Sequence, residues 1–378
     1  MVAPNERNPG IDALRGLSVA RVVVQHVAIR IPLGETALGE LLPPRVVHAL
    51  AFSGYEAVFL FFVISGFLIT THSLRRWGSL AAIDARAFYA RRLARIAPTL
   101  LVLLGILALL HLAGARHYVI DGPEQSLGGA LFSALALHLN WYEGQTGWLP
   151  GAWDVLWSLS IEELFYLAFP VLCLVVGRLR GLLTLVLVGL ALSLPWTRAA
   201  LADATEIWQE KAYLPAMAAI AAGVVAGLAA ERWPAPSRGI TTLALALGGA
   251  AIAAVLLAAR ELWPHVGYGL LLVLTVGCGL ALMGLHWRRR GGWSRAPSRA
   301  GAWLRACGRL SYEIYLAHMF VVFALVDAFK AHGGDRRSGW IVYLLALLGS
   351  WGLGALVSRL LTSPADRALR RRLLGGAR

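Results

Sequence analysis

The stretch Ile11-Asp-Ala-Leu-Arg-Gly-Leu-Ser-Val-Ala-Arg-Val-Val-Val-Gln-His-Val-Ala-Ile-Arg-Ile31 decides the class of protein to which this chain belongs. It is long and apolar enough to span a bilayer, for which about 20 residues suffice. It nevertheless carries Asp12, Arg15, Arg21 and His26. Charged side chains at membrane depth are costly and are retained where the protein uses them. The function is therefore expected to involve this helix.

Arg15 and His26 lie on the same face of that helix. They are eleven residues apart, which leaves them about 20° apart around the axis and roughly 16 Å apart along it. The face offers an anion-binding group at one level and a proton-transfer group at another. Imidazole titrates near neutral pH and can take a proton from a hydroxyl group. A histidine in a helix bundle can also serve packing alone, but the pairing with Arg15 favours function.

The composition is that of an integral membrane protein. Of the 378 residues 58% are hydrophobic and only 15% are charged. The net charge of +14 comes from arginines in short stretches between apolar segments, the positive-inside pattern, and we therefore expect no nucleic-acid partner. The three cysteines have no metal-ligand spacing and form no disulfide framework, so no metal cofactor is expected.

Apolar periodicity predicts an all-α fold, a polytopic membrane helix bundle with about ten transmembrane helices. The predicted spans are roughly 11–31, 48–74, 98–114, 154–177, 181–197, 213–230, 239–259, 264–286, 309–329 and 339–361. We expect a single membrane domain over residues 1–378, with a basic cytoplasmic tail at 362–378 and no appended soluble domain.

Arginine counts predict the orientation of the bundle. The loops 75–97 and 287–308 carry six arginines each, which predicts that they and both termini are cytoplasmic. If the short apolar segment 128–140 crossed as well, the loop 287–308 would move outside, so we place 128–140 in an outer segment. Arginine outnumbers lysine 33 to 2, a bias typical of GC-rich bacteria. We expect a multi-pass protein of a bacterial inner or plasma membrane, surrounded by membrane lipid.

Two arginines beside Pro98 form a candidate anion site. Arg92 and Arg95 are three residues apart and share a face of a short helix that is expected to end where Pro98 begins the next span. Two guanidinium forks side by side suit a phosphate or pyrophosphate. Ordinary positive-inside charge or contact with lipid headgroups fits the spacing equally well.

A polar stripe runs along one face of the span 154–177. Ser158, Glu162 and Tyr166 recur every four residues, which makes Glu162 the better candidate for a functional carboxylate. Glu163 points about 100° away, so both carboxylates are not expected to face one cavity. A salt bridge to Arg21 is the alternative role for Glu162. Glu163 is expected to cap a helix, to pair with an arginine or to reach the surface.

Depth along the helices relates these groups to one another. Glu162 and His26 are both expected in the outer half of the bundle, where they could meet. Arg92 and Arg95 are expected at the inner surface. His318 lies near the middle of its span, where a hydrogen bond within the bundle is its first expected role and substrate contact its second.

Taken together, these residues resemble the acyltransferase-3 family of membrane O-acyltransferases. The resemblance follows the family's motif order over nearly the whole chain and is that of a member without an appended hydrolase-like domain. The matching pieces are Ile11-Asp-Ala-Leu-Arg-Gly-Leu-Ser18 with His26, Phe62-Val-Ile-Ser-Gly-Phe-Leu-Ile69, Ala90-Arg-Arg-Leu-Ala-Arg-Ile-Ala-Pro98, Trp157-Ser-Leu-Ser-Ile-Glu162 and Ser311-Tyr-Glu-Ile-Tyr-Leu-Ala-His318.

The resemblance implies transfer of an acyl group, usually acetyl from acetyl-CoA, to a hydroxyl group, often of a sugar. It implies that His26 is the essential membrane histidine and that Ser158 and Glu162 belong to a functional S-x-x-x-E unit. It also implies that the R-x-x-R pair of the family is formed by Arg92 and Arg95. The chain departs from the family pattern at two positions, which bear on the acceptor: Arg21 and Glu313.

We therefore expect an acyl-CoA-dependent O-acyltransferase that acts on a cell-surface or secreted glycan. Arg15, Arg92 and Arg95 are expected to bind the phosphates of acyl-CoA. His26 is expected to be the general base, with Glu162 orienting the imidazole or the acceptor. One alternative is acylation of a small secondary metabolite such as a macrolide. Another is a glycan or glycolipid transporter or flippase without acyl transfer, although no inverted repeat is visible.

Overall fold

The computed structural model describes residues 7–233, 236–293 and 299–375, without the side chain of Arg180. Parts of the predicted domain therefore lie outside the described residues, including 294–298 of the loop 287–308 and 376–378 of the tail. Over the described ranges the chain forms helices and no β-strand, which confirms the predicted all-α class.

The α-helices of the described residues are α1 (Pro9–Ala28), α2 (Ala37–Leu41), α3 (Pro44–Ala51), α4 (Gly54–Trp77), α5 (Ala85–Leu112), α6 (Leu127–Leu135), α7 (Leu139–Thr146), α8 (Gly151–Asp154), α9 (Trp157–Val176), α10 (Arg180–Leu192), α11 (Leu194–Ala199), α12 (Glu206–Lys211), α13 (Tyr213–Arg232), α14 (Arg238–Val266), α15 (Leu270–Arg290), α16 (Ala302–Arg309), α17 (Ser311–Ala331), α18 (Trp340–Val357) and α19 (Ser363–Leu374). Short 3₁₀ turns lie at Leu33–Glu35, Leu80–Ala82, Gly267–Gly269, Arg299–Gly301 and Arg336–Gly339, and a π-helical turn at Ser358–Thr362.

Every predicted span contains a helix, but not all of these helices are long and apolar enough to cross a membrane. Seven helical stretches of the described chain are long and apolar enough to do so, and one of them, Arg238–Arg290, consists of α14 and α15. The helix α1 has 20 residues but carries three charges within them. The helix α10 has only 13 residues. A multi-pass membrane bundle follows, while the number of about ten spans stays a prediction.

The predicted helix boundary at Pro98 is wrong. The helix α5 runs without a break from Ala85 to Leu112 and contains Pro98 in its interior. A proline removes one backbone hydrogen bond, a loss that neighbouring helices and hydroxyl side chains can offset in a membrane protein. The Thr99 hydroxyl lies 2.8 Å from that of Thr362, which follows α18. Arg92 and Arg95 consequently belong to the long apolar helix itself and not to a separate surface helix.

The segment 128–140 does not form a span. It contains most of α6, which has nine residues, and the beginning of α7, which has eight. Leu137 between them has a φ of 61°, a backbone conformation that breaks a right-handed helix. Neither helix is long enough to cross a bilayer, for which about 17–25 residues are needed.

Glycines allow α1 to pack directly against α16. A Cβ atom on Gly308 would lie 1.7 Å from the carbonyl oxygen of Asp12, and one on Gly16 would lie 1.9 Å from that of Leu304. Only glycine therefore fits at these two positions of the crossing. The close contact fixes the rotation of α1 and with it the direction of Arg15.

Ion pairs gather several helix ends at one end of the bundle. Glu231, at the end of α13, pairs with Arg75 of α4 at 3.2 Å and with Arg290 of α15 at 2.5 Å. Asn8, which caps α1, donates to the carbonyl oxygen of Leu285 at 3.0 Å. The beginning of α1 and the arginine-rich ends of α4 and α15 thus share one end, which we call the basic end. The helix α19 of the predicted tail packs along α5.

Candidate functional site

Arg92 of α5 brings together two carboxylates of α9. Its Nη2 lies 3.2 Å from Oε1 of Glu163 and 3.9 Å from Oε1 of Glu162. Its guanidinium carbon lies 3.3 Å from the centroid of the Tyr166 ring. The 100° between the two side chains does not keep them apart, because one guanidinium reaches both. Pairing with an arginine was one of the roles expected for Glu163, and the structure confirms it.

Glu162 is held by hydroxyl groups as well as by Arg92. The hydroxyls of Ser65 and Tyr166 both donate to its Oε1. Ser65 belongs to the Phe62–Ile69 motif of α4, to which the sequence assigned no role. Glu162 forms no salt bridge with Arg21, whose electrostatic partner is Glu56.

Arg95 forms a two-pronged ion pair with Glu313 of α17. The Nη1–Oε1 distance is 2.9 Å, and Nη2 donates to Oε2 at 3.3 Å. The Glu313 side chain is 0% exposed, whereas that of Arg95 is 30% exposed. The departure from the family pattern at Glu313 therefore supplies the buried counter-ion of an arginine in the R-x-x-R pair.

Arg15 completes a group of three arginines from α1 and α5. Its Nη2 donates to the Ser311 hydroxyl at 2.7 Å, which ties α1 to the beginning of α17. It is also near enough to Glu162 and Arg95 to interact with them electrostatically. The structure thus assembles the predicted donor-binding residues with Glu162. The prediction that Arg92 and Glu162 lie at different depths is wrong.

Ser158 and Tyr315 connect this group to the histidines. The Ser158 hydroxyl lies 2.7 Å from the Tyr315 hydroxyl, and the Tyr315 and His318 rings are 6.0 Å apart. Tyr315 also interacts electrostatically with Glu162. The sequence did not single out Tyr315, although it stands three residues before His318 and so shares its helix face.

His26 faces a second imidazole and not the carboxylate expected beside it. Its ring centroid lies 5.0 Å from that of His318, with the two planes inclined by 47°. Its electrostatic neighbours also include Arg30 and Lys211. Glu162 instead contacts Ser65, Tyr166 and Arg92, and no hydrogen bond or ion pair joins it to His26 in the described part of the chain.

A buried lysine lies beyond His26, toward the end opposite the basic end. Lys211, 1% exposed, bonds to Glu143 at 2.9 Å and to Asp154, and it lies 4.0 Å from the centroid of the Trp148 ring. This network was not predicted from the sequence. The available signal was rarity, since Lys211 is one of only two lysines in a chain with 33 arginines.

The polar side chains from Arg92 to His26 follow one another through an apolar bundle, related by ion pairs, hydrogen bonds and ring contacts. We call this set the polar file, and its members are Arg15, Arg92, Arg95, Glu162, Ser158, Tyr315, His318 and His26. Its chemistry combines cationic forks, hydroxyl donors and imidazoles. In the part of the chain that the structure describes, no three His, Cys, Asp or Glu side chains are grouped so that they could hold a metal ion.

Comparison with known families identifies the class of this protein. Residues 8–359 match the acyltransferase domain of the acyltransferase-3 family, and the chain therefore belongs to that family. No solved structure matches the chain.

Several curated relatives are named O-acetyltransferases. A putative O-acetyltransferase of Staphylococcus aureus strain COL is 29% identical over 168 residues, which are 43% of this chain. The peptidoglycan O-acetyltransferase OatA of Listeria monocytogenes is 29% identical over 177 residues, or 44% of this chain. The matches span only 24% of the length of each of these relatives. The chain is thus a membrane protein of the acyltransferase-3 family that is similar to part of longer proteins named O-acetyltransferases.

Proposed function

We propose that this protein transfers an acyl group, preferably acetyl, from acyl-CoA to a hydroxyl of a sugar in a cell-surface or secreted glycan. The polar file carries the proposal, because it places anion-binding and proton-transfer groups in one apolar bundle. Membership in the family and the names of the relatives support acetyl as the acyl group and a polysaccharide as the acceptor.

The donor-binding residues of the proposal are Arg15, Arg92 and Arg95. Each guanidinium has five N–H donors and keeps some of them beyond its present partners. The Arg92 Nε atom is buried and has no hydrogen-bond partner among the described residues. Carboxylates on α9 and α17 hold the planes of Arg92 and Arg95, so that the remaining donors are oriented before an anionic ligand binds.

The acid–base chemistry is assigned to His26. Acyl-CoA, when bound, supplies the thioester carbonyl that the acceptor attacks. His26 takes the proton of the acceptor hydroxyl as its oxygen bonds to that carbonyl carbon, and returns the proton to the departing thiolate. The paired hydroxyls of Ser158 and Tyr315 are suited to donate to the carbonyl oxygen as it gains negative charge. Glu162 positions Arg92 in this scheme.

The orientation belongs to the same proposal. We place the basic end and both termini in the cytoplasm of a bacterium, in the inner or plasma membrane, because arginine-rich segments favour the inner side. Acyl-CoA would then bind from the cytoplasm, and the acceptor would reach His26 from the outer side.

Purified protein tests the proposal directly. Incubation with isotope-labelled acetyl-CoA and fragments of bacterial glycans should yield acetylated sugar, detected by mass spectrometry, together with free CoA. The variant His26→Gln should give neither product. His48→Gln is the matched control, because His48 is an exposed histidine on α3. Substrate flux across vesicles without any acetylated product would instead support the transporter.

A further inference from the structure

His318 is a buried imidazole whose protonation pattern is fixed on one side. The residue is 0% exposed on α17. Its Nδ1 lies 2.7 Å from the carbonyl oxygen of Tyr315 and 3.2 Å from that of Ile314. A carbonyl oxygen can only accept a hydrogen bond, so Nδ1 carries the hydrogen. In the neutral ring, Nε2 is then left with a free lone pair.

That lone pair has no partner in the structure. The Nε2 atom is buried and makes no hydrogen bond with any described residue. Buried polar atoms are nearly always hydrogen-bonded, and an exception calls for a specific explanation. A mere packing role for His318 does not explain an acceptor held in a fixed direction, since an apolar ring would pack without the unsatisfied nitrogen.

The ring that faces His318 belongs to His26. With centroids 5.0 Å apart, the nitrogens at the ring edges are separated by a gap that a change of the His26 side-chain torsions can close. Catalytic hydrogen bonds are often long before substrate binds and shorten in the reacting complex. The His26 side chain is only partly buried, so part of its ring is open to a substrate.

The other charged neighbours of His26 cannot accept its N–H group. Arg30 and Lys211 interact with it electrostatically, and both are donors only. Asp154 is bound to Lys211, and Tyr315 is bound through its hydroxyl to Ser158. Among these groups, His318 Nε2 is the acceptor that has no hydrogen-bond partner among the described residues.

We infer that His318 is a positioning residue for His26. This inference rests on the proposed function. Nε2 of His318 accepts the hydrogen of one His26 ring nitrogen, which leaves the other His26 nitrogen unprotonated and directed at the acceptor hydroxyl. When that nitrogen takes the proton, the same hydrogen bond stabilises the imidazolium. His318 itself gains and loses no proton.

Two substitutions of His318 separate this role from base catalysis and from packing. His318→Gln keeps an acceptor oxygen near the place of Nε2 but cannot take a proton at neutral pH. His318→Phe keeps the ring and removes the acceptor. We expect His318→Gln to retain most of the wild-type kcat. We expect His318→Phe to lose about 10²-fold in kcat through misorientation of the base, with an unchanged KM for acetyl-CoA. His48→Phe is the control.

The outcomes are distinct. A His318→Gln variant as impaired as His318→Phe overturns the inference, as does wild-type kcat in His318→Phe. If His318→Phe does not fold, the comparison of His318→Gln with His26→Gln tests the inference. We expect the first variant to be active and the second to be inactive. A wild-type protein that transfers no acyl group refutes the proposed function, and the inference with it. An active wild type with an inactive His318→Gln refutes the inference alone.

Discussion

Arg95 combines a structural and a proposed donor-binding role that substitution can separate. Arg95→Ala leaves the buried Glu313 carboxylate without its counter-ion, for which we expect a loss of stability of about 3–5 kcal/mol. Adding Glu313→Gln removes the buried charge and should restore much of that loss. Affinity for a non-hydrolysable acyl-CoA analogue should stay about tenfold or more reduced in both variants, since each lacks the same charge-assisted contact.

Thermal unfolding in detergent and calorimetry on the same samples would measure both effects. Recovery of acyl-CoA affinity in the double variant would show that Arg95 acts only through Glu313. The corresponding pair Arg92→Ala and Arg92→Lys tests the second fork, and lysine should rescue only in part because it lacks the planar geometry.

His26 gives the sharpest residue-scale prediction. His26→Ala should insert in the membrane and bind acyl-CoA, because the arginines lie at another level of the polar file. It should nevertheless lose about 10²–10⁴-fold in transfer rate. A His26→Ala variant with weakened acyl-CoA affinity and an unchanged rate at saturation would assign the residue to binding.

Sequence reasoning at this scale found residue types but not their partners. His26, Arg92, Arg95 and Glu162 stood out because charged and titratable groups in apolar segments are unusual. The partner of Arg95 could not be predicted, because Glu313 is 218 residues away along the chain and the pairing depends on how α5 meets α17. The same holds for the two imidazoles, which α1 and α17 bring together.

At the scale of single elements, the α1–α16 crossing should tolerate no side chain. Gly308→Ala would place a methyl group 1.7 Å from a backbone oxygen, so the helices must separate. We expect a loss of about 1–3 kcal/mol or more in stability, together with reduced transfer, because Arg15 shifts with α1. Gly249→Ala on α14 is the control, since nothing lies within 4 Å of its new methyl group.

Unfolding midpoints of the two glycine variants, measured side by side, would decide. Equal midpoints would show that the α1–α16 contact is not needed for the fold.

At the scale of single elements the sequence predicted where helices lie, because apolar runs are local. It misjudged Pro98, because the loss of one backbone bond is offset by packing that local patterns do not report.

At the scale of the whole molecule, orientation is the open prediction. A cysteine at Arg86, which is exposed at the beginning of α5, should react only with a reagent that enters the cytoplasm. A cysteine at Gln145, exposed on α7, should react from outside. The native Cys173, Cys278 and Cys307 are buried, so background labelling should be low. Outside labelling at Arg86 would invert the proposed orientation.

The charge pattern could predict which loops lie on the same side of the membrane. The ion pairs of Glu231 agree with it, because they join the arginine-rich ends of α4 and α15. What the charge pattern could not predict is the number of crossings. Helix length and hydropathy vary between α10 and α14, and a short or charged helix is identified as a span only by its neighbours.

Because α1 packs against α16 through glycines, the distance between two residues of α1 is fixed relative to the rest of the bundle. Arg15 and His26 lie roughly 16 Å apart along this helix. The close contact with α16 prevents α1 from shifting along its axis. An acyl donor should therefore be accepted only if its anionic group and its reactive carbonyl are far enough apart to contact Arg15 and His26 at the same time. Acetyl phosphate, in which the two are adjacent, should acylate no acceptor at any concentration, while acetyl-CoA should be competent.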